Sequence, residues 1–178
     1  MKLLEIVKKY YENNPRLHKI LLDHSRLVTA KALQIARKHK GVDIKFIKEA
    51  SMLHDIGVYL TRAPDLFCSG REPYIKHGIL GGMILRKEGL PKHARVCERH
   101  IGAGLTKADI IRQNLPLPKR STLPVTREEK IICLADKFFS KTGRYVKTER
   151  KAAEIRKMFK KFGRETADRI NGLIDDLL

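Results

Sequence analysis

The stretch from Arg16 to Lys40 constrains this chain most. Leu17, Ile20, Leu21, Leu27, Val28, Leu33 and Ile35 recur at helical spacing, and Gly41 supplies a stop. The chain must bury one face of a long helix, and His24 lies inside that apolar stripe rather than on its charged side. A histidine in such a place is either a buried residue bonded to a carbonyl or a ligand. The rest of the chain has to decide between the two.

Helical periodicity continues almost everywhere else. Leu3, Leu4, Ile6, Val7, Tyr10 and Tyr11 line a first helix that ends before Pro15. Asp43 is an N-cap for a third, with Ile47, Ala50, Leu53 and His54 inward. A fourth, about 74–88, carries His77 and three glycines, Gly78, Gly81 and Gly82. Glycines cost about 1 kcal/mol each inside a helix, so three together point to close approach of another backbone. Pro91 opens a helix that ends near His100. Thr106 with Asp109, and Thr126 with Glu129, are capping boxes, the second starting an apolar helix through Phe139 that Asp136 interrupts. From about 147 to 161 the chain is basic and amphipathic, with Phe159 and Phe162 both on the apolar face, and a last helix runs from about 164 to 178. There is no sustained alternation and no Asn-Gly or Asp-Gly hairpin, so strands are not expected. The fold class is therefore all-α, a bundle of about six to eight helices. The connection over 58–73 is long, as lids and substrate loops often are.

At 178 residues the chain is expected to be a single domain, 1–178, with a core at about 17–141 and basic helices at about 147–178. Cys68, Cys97 and Cys133 form no CxxC, so neither a disulfide framework nor a cysteine zinc site is expected. No apolar run reaches membrane length, and the opening Met1-Lys2-Leu3-Leu4-Glu5 lacks the apolar region of a signal peptide, so the expected location is cytoplasmic, away from membranes. The formal net charge of +18 concentrates anions such as phosphorylated metabolites, nucleotides or nucleic acid. No nucleic-acid-binding motif accompanies that charge, so nucleic acid is the less favoured partner. The terminal Leu173, Ile174, Leu177 and Leu178 either complete the core or form a homodimer contact.

The chemistry gathers at Met52-Leu53-His54-Asp55-Ile56-Gly57. With His24, His77, His100 and Asp136 this pair makes a nitrogen and carboxylate set suited to first-row divalent metals rather than calcium. Asp55, with two oxygens, is the natural bridge between two ions. His24, His54 and Asp136 would complete one site, and His77 and His100 the other. His18, His39 and His93 are expected to be surface or structural residues.

On these residues the chain resembles the HD-domain metal-dependent phosphohydrolases. His54-Asp55-Ile56-Gly57 spells the HDIG subtype, and the order His24, His54-Asp55, His77, His100, Asp136 matches the two-metal branch. Among small members it is similar to bacterial symmetrical dinucleoside tetraphosphate hydrolases and to small HDIG proteins sharing an Arg-His-Ile-Gly segment, here Arg99-His100-Ile101-Gly102. It lacks the Gly-Tyr-Pro motif and the paired histidines of the cyclic-di-GMP branch. Many relatives place a lysine directly after HDIG, whereas this chain has Val58, leaving Arg62, Arg71, Arg99 and Lys137 as phosphate-binding candidates.

The resemblance implies hydrolysis of a phosphoester or phosphoanhydride (EC 3.1 or 3.6) of a nucleotide or dinucleoside polyphosphate. Two divalent ions (Fe, Mn, Zn, Co, Ni or Mg) would lower the pKa of bound water towards about 7. Asp55 is the candidate catalytic residue, as a ligand first and a proton acceptor second. Two alternatives stay open: a nucleoside monophosphate phosphatase with one metal, His77 and His100 binding phosphate instead, and a basic RNA- or partner-binding module with a vestigial metal site.

Overall fold

In the computed structural model, which describes residues 3–178, nine α-helices stand in the order α1 Leu3–Tyr11, α2 Pro15–Ala36, α3 Ile44–Leu53, α4 His77–Lys87, α5 Pro91–Arg99, α6 Lys107–Arg112, α7 Arg127–Asp136, α8 Ala152–Lys160 and α9 Arg164–Leu177. The opening Met1-Lys2 and the side chains of Leu3 and Leu4 lie outside the described residues. No described helix is long and apolar enough to cross a membrane.

Local chemistry sets the helix starts. The Asn14 side chain accepts the Leu17 N–H at 3.0 Å, and Pro15 fills the first helical position, where its missing N–H costs nothing. Asp43 caps α3, and the Thr106–Asp109 and Thr126–Glu129 boxes cap α6 and α7. Helix ends fall short of the periodic pattern. α2 stops at Ala36 rather than Lys40 because the amides of Lys38 and His39 turn to the Ile35 and Ala36 carbonyls, tightening the last turn. α4 starts at His77 because Tyr74–Lys76 forms a 3-10 turn.

Two apolar clusters make the interior. One joins Val28, Ala32 and Ile35 of α2 to α7, α8 and α9, and the other joins Leu17 and Leu21 of α2 to α1, Leu53, Val58 and α4. His24 falls on α2 between the two stretches. Leu53 and Ile131 are fully buried, and truncating either to alanine costs about 2–5 kcal/mol. The glycines of α4 serve the expected close approach. A Cβ at Gly57 would collide with the His77 carbonyl and the Gly81 nitrogen, and one at Gly78 with the Cys97 carbonyl. Cys68, Cys97 and Cys133 are buried, free thiols.

Two local expectations are corrected. The 58–73 connection contains a small three-stranded sheet, β1 Thr61–Ala63, β2 Cys68–Ser69 and β3 Glu72–Pro73, in the order β2-β1-β3. β1 pairs antiparallel with β2 (Arg62 opposite Ser69) and parallel with β3 (Arg62 opposite Pro73). Strands of two or three residues are too short to print an alternation in the sequence. Phe162, placed on the apolar face of α8 by its spacing, is 49% exposed, whereas Phe159 is buried. α8 ends at Lys160 and Gly163 turns the chain at φ 91°, so the helical register does not reach Phe162.

Candidate metal centre

Six side chains from five elements meet where the two apolar clusters adjoin. Their potential ligand atoms form two groups sharing Asp55, the first with His24, His54 and Asp136, the second with His77 and His100. The Asp55 carboxylate divides between them. Oδ2 lies 3.1 Å from His54 Nε2 and 3.4 Å from His24 Nε2, and Oδ1 lies 3.4 and 3.5 Å from the Nε2 atoms of His77 and His100. His24 Nε2 bonds Asp136 Oδ1 at 2.9 Å.

Backbone carbonyls fix three of the rings. His54, His77 and His100 donate Nδ1–H to Ser51, Tyr74 and Cys97 carbonyls, each at 2.7 Å. A neutral ring so tied presents a bare Nε2 lone pair. The Nε2 atoms of His77 and His100 stand 3.0 Å apart. Burial drives the His77 pKa down to about 3 and also lowers that of His100, so both rings are neutral and their lone pairs oppose each other.

Protons and lysines balance the first group instead. Burial opposes charge on His54, but Asp55 and Asp136 overcome it and raise its pKa to about 9. Burial carries His24 down to about 4, with the Lys141 charge adding to the fall. Burial would raise both carboxyls, yet the positive charges of His54 and Lys141 hold Asp55, and Lys137 with the two histidines holds Asp136, well below the usual range.

The donor set fits divalent cations. Both Asp55 oxygens, His54 Nε2 and His24 Nδ1 are buried without a hydrogen-bond partner. Asp55 Oδ2 already has the Lys141 ammonium beside it, whereas Asp55 Oδ1, a carboxylate oxygen left this way in a protein interior, calls for a positive partner. Nitrogen and carboxylate oxygen with no thiolate suits Mn, Fe, Co, Ni or Zn.

Lys141, which no sequence pattern singles out, places Nζ 2.7 Å from Asp55 Oδ2. Asp55, Tyr74 and Asp136 raise its pKa against the effect of burial. The available signal was Val58, since a missing lysine after HDIG leaves the carboxylates to be matched from elsewhere. Val58 itself is fully buried.

Of the four phosphate candidates, Arg62 and Lys137 line a cavity of about 540 Å³ that opens beside His24 and Asp136, with Lys141 and Arg150 on its wall. Lys137 Nζ also donates to the His100 carbonyl at 2.9 Å. Arg71 shares a neighbouring hollow with Arg62. Arg99 is engaged elsewhere, donating to both Glu129 oxygens at 2.8 and 2.7 Å. His93 approaches Glu49 at 3.5 Å and stands edge-on to Phe46. His18 stacks on Tyr11, and His39 bonds the Leu177 carbonyl.

The HD domain family model matches residues 21–140. An uncharacterised protein of Methanocaldococcus jannaschii is 36% identical over 166 residues, covering 90% of this chain and 82% of its own. The tRNA (cytidine(56)-2'-O)-methyltransferase of Thermoplasma volcanium is 32% identical over 121 residues, 67% of this chain but only 32% of the enzyme. Among solved structures, the HD domain of the L. monocytogenes phosphodiesterase PgpH superposes with a TM-score of 0.57 at 20% identity, covering 96% of this chain and 83% of that one. Its complex with cyclic-di-AMP gives 0.56 at 21% identity, with 97% and 82% covered.

Proposed function

This chain belongs to the HD-domain family, and from that premise we propose that it is a metal-dependent phosphohydrolase. Its substrate is a phosphoester or phosphoanhydride of a nucleotide or dinucleoside polyphosphate. The observation that carries the reading is the facing pair of bare Nε2 atoms on His77 and His100 beside a shared Asp55, an arrangement that calls for a cation. His24, His54, Asp55 and Asp136 would hold one divalent ion, and Asp55, His77 and His100 a second; such ions would supply Lewis acidity for acidifying water and offsetting phosphoryl charge.

The side chains do the rest. Asp55, kept ionised at neutral pH, would be the ligand common to both groups and is a weak proton acceptor. The carbonyls behind His54, His77 and His100 hold the rings in one tautomer and orientation. Arg62, Lys137 and Lys141 line the approach and bind phosphoryl oxygens, stabilising negative charge as it develops. Arg71 extends that positive rim. A nucleotide-type substrate is supported by the fold shared with the PgpH domain, whose complex holds cyclic-di-AMP.

Elemental analysis of the purified chain and of His54→Ala/Asp55→Ala tests the reading, together with hydrolysis of diadenosine tetraphosphate, cyclic-di-AMP, AMP and a generic phosphodiester. Metal in the parent, little in the variant and metal-stimulated turnover of one substrate is the expected result. Near-zero metal in both chains with no stimulated turnover overturns it. A single ion per chain would favour the one-metal monophosphatase.

A second reading, an RNA-binding module, has one observation behind it: a segment of this chain resembles part of enzymes named for action on tRNA, in a protein of net charge +18. Salt-dependent RNA retention that survives loss of Asp55 would support it.

A further inference from the structure

The metal chemistry leaves one conspicuous aromatic unused. Phe67 closes the 3-10 turn Pro64–Leu66 between β1 and β2 in a left-handed conformation, φ 56°. Bulky side chains rarely adopt that region, and burial does not compensate here, because Phe67 is 55% exposed. The conformation is held from outside. Asn14, the cap of α2, donates Nδ2–H to the Phe67 carbonyl at 2.7 Å, and the Phe67 amide donates to the Pro64 carbonyl at 2.8 Å. The fold thus fixes a large apolar ring in water on an unfavourable backbone.

Its surroundings point to a ligand. Two hollows meet at this ring. One, of about 250 Å³, runs from Phe67 to His24 past Lys141 and Arg16. The other borders Arg62 and Arg71. The Arg16 guanidinium sits 5.4 Å from the ring centroid. An exposed aromatic among arginines recognises a planar base joined to phosphate, with ring stacked on ring and guanidinium groups on the phosphate oxygens.

We propose that Phe67 is the nucleobase platform of this site. It stacks a base of the substrate while Arg16 and Arg62 hold adjoining phosphates, directing the bond to be cleaved towards the His24 end of the hollow. The inference rests on the phosphohydrolase reading and deepens it, since the substrate must then carry a nucleobase close to the scissile phosphate.

The chain contains no tryptophan, so Phe67→Trp introduces a single reporter. With EDTA present, its fluorescence is expected to be quenched saturably by AMP and diadenosine tetraphosphate, and not by ribose 5-phosphate or inorganic phosphate at equal concentration. In a second variant, Phe67→Leu, the ratio of kcat/KM for diadenosine tetraphosphate over tripolyphosphate is expected to fall at least about tenfold, mainly through KM. Equal quenching by AMP and ribose 5-phosphate, no quenching by either, or an unchanged ratio overturns the platform. Base-selective quenching in a chain that hydrolyses none of these compounds overturns the phosphohydrolase reading and leaves the platform standing.

Discussion

The two ligand groups around Asp55 share a carboxylate but balance their charge in opposite ways. The first has two carboxylates, a protonated His54 and two ammonium groups, Lys137 and Lys141, within reach. It is matched internally, with protons and lysines standing where a cation could. The second has one carboxylate oxygen and two neutral rings whose lone pairs face each other. Nothing on its own side chains offsets that repulsion. The same ligand chemistry therefore gives one group that a metal must enter by displacing charge and one that a metal simply completes.

The hardest blow to this asymmetry is Asp55→Ala, which removes the atom pair both groups use. Metal should be lost from both, and turnover should fall by more than about 10³-fold, beyond the loss of one electrostatic stabiliser. Elemental analysis beside kcat/KM checks this; retention of full metal would dissolve the shared-carboxylate picture. His77→Ala should empty the second group alone, leaving one ion in the first and lowering turnover about 10²-fold. Lys141→Met separates the groups more finely. With a competing ammonium gone, divalent affinity at the first group should rise about tenfold, roughly 1.4 kcal/mol, and by more than at the second, which feels Lys141 only through Asp55 Oδ1 and His77, as titration calorimetry would read.

Protons give the gentlest test. At pH 7 a metal entering the first group displaces the His54 proton, held at about 9, whereas one entering the second displaces none, His77 being neutral above about 3. Calorimetry in buffers of different ionisation enthalpy reads the difference. The same shift has a stability sign. The folded chain binds the His54 proton more tightly than the unfolded chain, so this contribution is full below the ordinary value of 6.5 and is lost as pH rises through about 9. Metal-free protein should lose roughly 4 °C or more of Tm across that window, and metal should flatten the slope.

Much of this was readable from the chain alone. His24 and Asp136 stood out because helical spacing placed polar groups among apolar neighbours, and the capping boxes at Thr106 and Thr126 are local patterns that structure repeats directly. Lys141 was not readable. It follows α7 in a segment without periodicity, and tertiary bonds bring it back: Arg150 donates to the Lys137 and Phe139 carbonyls and folds the segment onto the site. Phe67 was hidden for a similar reason, because its exposure depends on Asn14, far away in sequence, holding an unfavourable turn.

Main-chain packing fixes where the carboxylate shared by the two ligand groups sits. Gly57 lets the corner carrying Asp55 rest directly on the His77–Gly81 turn, with no room for a Cβ. The position of the Asp55 corner against the His77–Gly81 turn is thus a property of the scaffold, and a side chain at Gly57 would disturb it. Residues on the rim, such as Arg62, Arg71 and Phe67, carry no such burden. On the proposed function such a division makes the molecule modular: the ligand groups are tied to main-chain packing, while the rim residues proposed to hold substrate can be exchanged one at a time.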